Sequence, residues 1–290
     1  MTDGGGLPRH GGQYATLSGN KCYGSVFSPV LPGYFAQDGD HGKAGVGGGV
    51  LKLAVTGDLV VDGSVTANSA AFHKSSAAAG SVSITAKTLS GSGSVTANGA
   101  IGSIQWDEGY NGVGGRIAVR VTDEDVGDSG VWTTFAARGC ATNQVATANE
   151  RNQNTSAGTI YLQGMSDGEK GGTIYVKNQA SYDTSNVATW IPAAERGDDA
   201  KDFAKAKLVI ADRGVVATGA DIKFASLSVA ANSKLDLHGQ KVKVAKAELG
   251  GTKLDAGTYT ASDTAVADFV VDSAGGGSLT VGGGFFVIVR

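Results

Sequence analysis

The hexapeptide GSVTAN stands at residues 63–68 and recurs letter for letter at residues 93–98, 30 positions later. A second pattern shifts with it. A glycine followed by aliphatic residues at alternate positions begins GVLKL at Gly49 and GSVSI at Gly80, 31 positions apart. Because both motifs move by nearly the same interval, the repeating unit is longer than either of them. Self-similarity at a fixed period of about 20–50 residues is the signature of stacked repeat architectures.

Further copies of the glycine-led pattern follow along the chain as GRIAV, GTIYL and GTIYV, beginning at residues 115, 158 and 172. In the third unit, GVWTTFAARG (residues 130–139) stands where GSVTAN would be. Strict alternation of aliphatic and other residues indicates strands of about four to six residues with one buried face. We expect Val82 and Ile84 to point into a core, and Ser83 to point outward. The same pattern turns Ile160 and Leu162 inward and Tyr161 outward.

Several short strands per unit, turned by Gly or Asn, predict an all-β fold. Its form is a right-handed parallel β-helix (β-solenoid), in which stacked coils bury a continuous core. Corners favour residues that tolerate positive φ, and Asn68 and Asn98 stand at such corners. Val65 should lie over or under Val95, about 4.8 Å away. The alternative is a β-sandwich with hairpins at Asp62-Gly63 or Asn98-Gly99, but a sandwich does not predict near-identical units.

The spacing becomes tighter from Lys207 onward, which predicts irregular Gly-rich coils first and more regular coils at the C-terminus. We divide the chain into a Gly-rich N-terminal segment (1–45), irregular coils with insertions (46–204), and regular coils with a closing segment (205–290). Residues 192–206, PAAERGDDAKDFAKA, are a short helix or a loop insertion. The predicted inward residues of the last part are Ile222, Phe224, Leu227, Val229, Leu235, Leu237, Val242, Val244 and Leu249.

A repeating pattern is seen in GGGVLKLAVTGDLVVDGSVTAN, AAGSVSITAKTLSGSGSVTAN and GVGGRIAV. In this pattern the chain resembles the Gly-rich β-helix regions of very large exported bacterial proteins. These are proteins of the autotransporter-passenger and surface-adhesin type. The end, LDLHGQKVKV … AGTYTASD … GGGSLTVGGG, is similar to the closing segment of such passengers. The resemblance covers roughly residues 44–290, with a gap at 177–206. It implies secretion and display at the cell surface.

Composition and charge exclude several classes of protein. The net charge is −3 and the charged fraction is 18 %, and the basic residues are scattered except in KDFAKAK (residues 201–207) and KVKVAK (residues 241–246), which argues against a nucleic-acid surface. In KVKVAK (residues 241–246) lysines alternate with apolar residues, as on the wet face of a strand. No apolar run is long enough for a membrane helix, so we expect no membrane insertion. The opening MTDGGGLPRHGG is not a signal peptide. Because the resemblance implies export, we expect either a fragment of a larger exported protein or a gene model whose start is misplaced.

Motifs for catalysis are sparse. Pectin-degrading β-helix hydrolases carry Asn-Thr-Asp, Asp-Asp, Gly-His-Gly and Arg-Ile-Lys, of which only Asp198-Asp199 occurs here. Two acidic loops, DGDHG (38–42) and DEDVGD (123–128), either hold Ca²⁺ or are solvated turns. The four histidines form no close pair, and a disulfide between Cys22 and Cys140 stays open. We therefore assign no catalytic, cofactor-binding or metal-binding residue and expect no cofactor.

Four aromatic residues near irregular segments are candidate glycan contacts: Trp106, Tyr110, Trp132 and Trp190. The alternative is that these rings cover the core where a coil is irregular. We predict a non-enzymatic extracellular or cell-surface β-solenoid with a structural or adhesive role. Surface glycans or proteins of a host or neighbouring cell would be its partners. The alternatives are a carbohydrate-active β-helix enzyme or glycan-binding module and, third, a cytosolic structural protein.

Overall fold

The computed structural model describes residues 10–11, 19–37, 44–71, 76–100, 111–125, 135–139, 155–178 and 188–282. These residues form 22 strands and two 3-10 helices. The strands of the first half are β1 (Ala36–Gln37), β2 (Ala44–Gly45), β3 (Val50–Ala54), β4 (Leu59–Val60), β5 (Ser64–Thr66), β6 (Ser81–Ala86), β7 (Leu89–Ser90), β8 (Ser94–Thr96), β9 (Arg116–Val121), β10 (Phe135–Ala136) and β11 (Thr159–Gln163). The strands of the second half are β12 (Thr173–Lys177), β13 (Thr189–Ile191), β14 (Lys207–Ala211), β15 (Val215–Thr218), β16 (Ile222–Val229), β17 (Lys234–Asp236), β18 (Lys241–Leu249), β19 (Thr252–Leu254), β20 (Gly257–Tyr259), β21 (Val270–Val271) and β22 (Ser278–Val281). The helices are Met165–Asp167 and Ala200–Lys205, and the second lies within the segment predicted as a short helix or insertion.

The fold of the described residues is all-β, with strands that pair mainly in parallel. One sheet of eleven strands runs in the order β20-β22-β18-β16-β14-β12-β11-β9-β6-β3, with β19 against β18. Smaller sheets are β10-β8-β5, β4-β7, β13-β15-β17-β21 and the antiparallel pair β1-β2. Neighbours in the large sheet are far apart in sequence, so most pairs are connected by crossovers rather than hairpins.

The repeated units stack on one another in register. Val65 of β5 pairs with Val95 of β8, with the two copies of GSVTAN side by side and parallel, which confirms the predicted placement. Phe135 of β10 then pairs with Val95, so FAARG occupies the position of VTANG in the third unit, as predicted. The glycine-led strands β3, β6, β9 and β11 stack in the same order in the large sheet.

The large sheet is mixed, which corrects the expectation of parallel pairing throughout. Strands β11 and β12, formed by GTIYL and GTIYV, lie side by side but antiparallel, with Tyr161 opposite Ile174. From β12 the pairs to β14, β16, β18 and β22 are parallel again. Along the path from β3 to β22 the strand direction therefore reverses once, between β11 and β12.

Two hydrophobic cores lie on opposite faces of this sheet. The first core contains Val82, Ile84, Val119 and Ile160. The second contains Tyr161 and, from β12 onward, a long series of aliphatic residues. Adjacent residues of a strand point to opposite faces, so Ile160 and Tyr161 belong to different cores. The sheet face that points away from the first core in the strands up to β11 therefore faces the second core from β12 onward.

The glycines that open the repeats allow close approach of neighbouring backbones. A Cβ on Gly80 would lie 1.9 Å from the carbonyl oxygen of Gly49, and one on Gly115 would lie 2.1 Å from that of Gly80. A Cβ on Gly158 would in turn meet the oxygen of Gly115 at 1.6 Å. Any side chain at these three positions would push the repeats apart. The glycines are therefore required by the stacking distance, and none of these three has a positive φ.

Asn68 and Asn98 connect successive repeats through their side chains. The Oδ1 atom of Asn68 accepts the N–H of Asn98 at 2.7 Å, and the Oδ1 of Asn98 accepts the N–H of Arg138 at 2.8 Å. Neither asparagine has a positive φ, so the explanation by corner conformation is wrong for these two residues. Each asparagine satisfies a backbone donor of the next repeat instead.

Strands β14, β16 and β18 of the C-terminal part stack at a short, nearly constant interval. Register partners are 19 residues apart between β14 and β16 and 20 apart between β16 and β18, for example Leu208 with Leu227 and Ile222 with Val242. All nine residues of the predicted inward set are buried. The turns use positive φ at Asn232, His238 and Gly239. Strands β19 and β20 then fold back antiparallel against β18 and β22.

Candidate functional site

The polar face of strands β6, β9 and β11 is covered by residues 19–35, here called the N-terminal strap. This face points away from the first core, and we expected it to be exposed to solvent. Ser83 is instead only 7 % exposed, which corrects that expectation. Tyr161 points to this face as predicted but is fully buried. A buried polar face needs hydrogen-bond partners, and the strap provides them.

Arg116 is the most deeply buried charged group on this face. Its Nε donates to the carbonyl oxygen of Tyr23 at 3.1 Å, and its Nη1 donates to Oγ1 of Thr159 at 3.0 Å. Within the described part of the chain its Nη2 has no hydrogen-bond partner. Burial lowers the pKa of the guanidinium, an effect opposed by the electrostatic influence of Cys22 and Asp198. Arg116 thus fastens the strap to the sheet.

His10 lies beside Arg116 and is also fully buried. Its Nδ1 is 2.9 Å from the carbonyl oxygen of Ala79, which identifies Nδ1 as the protonated nitrogen. Burial, followed by the positive charge of Arg116, lowers the pKa of His10 to about 3. The imidazole is therefore neutral at physiological pH.

Ser81 and His10 have the composition of a nucleophile and its base, with Oγ and Nε2 3.4 Å apart. Two observations argue against that role. The hydroxyl of Ser81 donates to the carbonyl oxygen of Leu31 at 2.6 Å, which accounts for its proton. Both side chains are also completely shielded from solvent. The pair therefore serves to hold the strap.

Arg120 provides a second attachment for the strap. Its Nη2 donates to the carbonyl oxygen of Phe27 at 2.6 Å, and its Nε donates to Oε1 of Gln163 at 3.1 Å. The hydroxyl of Tyr161 donates to the same Gln163 oxygen at 2.8 Å. Phe27 packs edge-on against Tyr161, with ring centroids 4.9 Å apart. Burial raises the pKa of Tyr161 far above its ordinary value, so the phenol stays protonated.

Asp198, the one element of the pectinase-like motifs found in the sequence, also holds the strap. Its Oδ1 accepts the hydroxyl of Ser25 at 2.5 Å and its Oδ2 accepts the N–H of Val26 at 2.7 Å. The adjacent Asp199 forms an exposed ion pair with Lys201 at 3.2 Å. The Asp198 carboxylate is thus engaged in local structure.

The candidate glycan-contact aromatics fall in different places. Trp106, Tyr110 and Trp132 lie outside the described residues. Trp190 lies on β13, is 7 % exposed and packs in a small cluster with Cys22 and Ala217. Its ring stands edge-on to that of His238, with centroids 4.6 Å apart. This position agrees with the alternative that the ring covers the core.

The acidic turn at residues 123–128 is described as far as Asp125. Glu124 accepts the N–H of Leu89 at 2.7 Å, and Asp125 accepts the N–H of Ser166 at 2.7 Å. These carboxylates therefore connect neighbouring repeats. The other acidic loop (38–42), with His41, lies outside the described residues, as do His73 and Cys140. Among the described residues no group of three or more His, Cys, Asp or Glu side chains is arranged to hold a metal ion.

The chain matches no family model, no curated protein and no solved structure. The resemblance to exported bacterial β-helix proteins therefore stays a prediction. None of the described helices has the length and apolar character needed to cross a membrane.

Sequence reasoning missed the strap because the polar residues beneath it also fit a solvated strand face. A signal was present in RIAVR, where two arginines four residues apart lie on the same face of one strand. Arginine is the basic residue that most often takes part in buried, hydrogen-bonded contacts. The strap itself carries four aromatic residues, Tyr23, Phe27, Tyr34 and Phe35, in a segment otherwise interpreted as a Gly-rich lead-in.

Proposed function

We propose that this chain is a section of a β-solenoid that serves as a structural or adhesive scaffold on a cell surface or outside the cell, as part of a larger exported protein. The observation that supports this most strongly is the in-register stack of units 30 residues apart, with GSVTAN upon GSVTAN. A stack of this kind gains stability from contacts between neighbouring units. That property suits a spacer or stalk.

The polar groups of the turns support the same proposal. Asn68, Asn98, Glu124 and Asp125 accept backbone N–H groups of the neighbouring unit. Residues in these positions hold units together, because their side-chain oxygens are engaged with backbone N–H groups of the neighbouring unit. Ser81 and His10 are sealed beneath the strap.

Two measurements test the proposal. Small-angle scattering of the purified chain should give an elongated, strand-rich particle, and a compact spherical particle would contradict the solenoid. Intact cells that produce the full protein should lose it to added protease, whereas protection until the cells are broken would contradict surface display.

The alternative, a carbohydrate-active enzyme, is tested separately. The chain is incubated with a panel of uronic-acid polymers, and the release of new reducing ends or unsaturated products is followed. The scaffold proposal predicts no turnover above a heat-denatured control. Reproducible depolymerisation of any polymer would replace it.

A further inference from the structure

We propose that the outward face of strands β16, β18 and β22 binds a linear acidic polysaccharide through a row of lysines. The face, here called the lysine face, comprises Lys223, Lys241, Lys243 and Lys246 together with the hydroxyl residues Ser226, Ser278 and Thr280. All four lysines are exposed. Their neighbours along each strand are the buried residues of the second core, which fixes the direction in which the lysines point.

The register brings like charges together. Lys223 of β16 pairs directly with Lys243 of β18, so their Cα atoms are about 4.8 Å apart. Lys241 lies two residues before Lys243 on the same face, about 7 Å away. Like charges directly opposite each other on neighbouring strands destabilise a sheet. The repulsion between Lys223 and Lys243 therefore destabilises the sheet, and a bound anionic ligand would remove this repulsion.

The positive charges are not neutralised within the described part of the protein. None of the four lysines has a carboxylate oxygen within ion-pair distance there, whereas Lys87, Lys170, Lys201 and Lys207 each do. Asp221, at the start of the face, uses its Oδ1 to accept the backbone N–H of Lys241 at 2.8 Å. Glu248 is the single acid among the outward residues of these three strands, and it stands opposite Lys253. The face is thus basic although the chain has a net charge of −3.

The remaining side chains favour a polysaccharide over other polyanions. The outward positions of β16, β18 and β22 carry Ser, Thr, Ala, Lys and Glu only. They offer no aromatic ring on which a nucleic-acid base could stack and no large apolar side chain to enter a bilayer. Hydroxyl groups beside ammonium groups suit a ligand with alternating hydroxyl and carboxylate or sulfate groups. Parallel strands in continuous register suit an extended linear chain.

The inference names a ligand class for the adhesive role proposed above, but it rests on the lysine face alone. Its failure would leave the scaffold shape untouched. Equally, if scattering showed a compact particle, the scaffold proposal would fail, but a measured interaction with a polysaccharide would still support the lysine face.

The test compares the wild-type chain with Lys223→Gln/Lys243→Gln and with a matched control, Lys52→Gln/Lys87→Gln. Both variants lose two positive charges, but Lys52 and Lys87 lie in the first half of the chain. The probes are dextran sulfate and polygalacturonate, with neutral dextran, duplex DNA and phosphatidylserine vesicles for comparison. Affinity is measured by biolayer interferometry at low and at high salt.

We expect wild-type protein to bind dextran sulfate or polygalacturonate, and to bind it more weakly at high salt, where exposed charges are screened. The face variant should bind roughly 2- to 30-fold more weakly, since each exposed ion contact contributes about 0.2–1 kcal/mol. The control variant should stay within about twofold of wild type. Thermal melting should show that neither variant is unfolded, and the face variant should melt no lower than wild type because a like-charge pair has been removed.

Three results would overturn the proposal. One is the absence of binding to both acidic polysaccharides. Another is an equal loss of affinity in the two variants, which would attribute binding to net charge. The third is tighter binding to DNA or to vesicles than to either polysaccharide. If the face variant does not fold, Lys241→Gln/Lys246→Gln takes its place with the same expected loss.

Discussion

The two copies of GSVTAN offer a test in which identical sequences should respond in opposite ways. Gly63 and Gly93 open the two copies and differ only in what lies beneath them. Among the described residues, no atom lies within 4 Å of a Cβ placed on Gly63. A Cβ on Gly93 would lie 2.1 Å from the carbonyl oxygen of Gly63 and 2.6 Å from that of Val61. We therefore expect Gly93→Ala to destabilise the protein and Gly63→Ala to be tolerated.

The expected magnitudes follow from these contacts. Relief of the clash requires the first repeat to move away by about 1 Å, toward ordinary contact distance. That movement would lengthen two hydrogen bonds, from Gly93 N to Val61 O at 2.7 Å and from Ser94 N to Gly63 O at 2.9 Å. Each contributes about 0.5–1.5 kcal/mol, and the overpacking itself costs about 1–3 kcal/mol. Gly93→Ala should thus lose about 2–6 kcal/mol, whereas Gly63→Ala should be neutral or gain about 0.4–1 kcal/mol from a less flexible unfolded chain.

Urea unfolding followed by far-UV circular dichroism measures both changes, with hydrogen exchange to show whether the first repeats open on their own. Equal effects of the two substitutions, or a larger loss for Gly63→Ala, would refute the stacking order. A gain in stability for Gly93→Ala would refute the close approach itself.

The remaining predictions concern the asparagine contacts, the strap and the last turn. Asn98→Ala should lower the free energy of unfolding by about 1 kcal/mol, because the N–H of Arg138 loses its acceptor. Asn98→Asp keeps an acceptor and should lose less. Equal losses of the two variants in urea unfolding would contradict this explanation. The pKa of His10 is lowered to about 3 from an unfolded value near 6.5, so the unfolded state binds more protons between these values. Stability should therefore be fully present above pH 6.5 and fall as the pH drops toward 3, by up to about 4–5 kcal/mol. The protection factors of the strap amides, which correct exchange rates for their intrinsic pH dependence, should be lower at pH 5 than at pH 7. His10→Asn should flatten this dependence, and a wild-type profile of protection factors that is already flat would contradict it. Partial burial alone would raise the pKa of Asp272, but the N–H groups of Gly239, Gly277 and Gly275 outweigh it and hold the pKa below its ordinary value. Asp272→Asn should therefore lower the free energy of unfolding by roughly 1 kcal/mol at pH 7. This difference from wild type should shrink below about pH 4, as the wild-type carboxylate becomes protonated. A difference that stays constant down to pH 2 would exclude the N–H contacts of the carboxylate as its cause.

Positions that repeat at a fixed interval could be predicted from the sequence. Val65 and Val95 were paired correctly because the same residue recurs in the same local frame, and stacking is the arrangement that buries both. Phe224 and Leu235 were placed in the core because alternation with a period of two decides which face of a strand is buried.

The direction of β12 could not be predicted. GTIYL and GTIYV carry the same alternation, and such a pattern is unchanged when the strand is reversed. The sequence therefore identified both strands and left their relative direction undetermined. The reversal depends on the connection between them, residues 164–172, which is short enough for the two strands to lie next to each other as antiparallel neighbours.

The candidate site was hidden for a related reason. Arg116 and Thr159 look from their spacing like solvated residues, and only the docking of Tyr23 from a distant part of the chain buries them. Local periodicity reports which face of a strand is polar but does not report what covers that face. The glycines and asparagines show a similar limit, since their abundance was evident while their role in close stacking depended on neighbouring repeats.

The central claim is that units 30 residues apart stack in parallel register, and a cross-link between Ser64 and Ser94 tests it most directly. The hydroxyl oxygens of these two residues are 3.1 Å apart on the exposed side of β5 and β8. Neighbouring strands bring Cα atoms within the range that a disulfide spans. The double variant Ser64→Cys/Ser94→Cys should therefore form a disulfide under mild oxidation, identified by peptide mapping. Ser64→Cys/Ser92→Cys, out of register by two residues, should form far less. Efficient linkage in the out-of-register variant, or none in the in-register one, would contradict the stack.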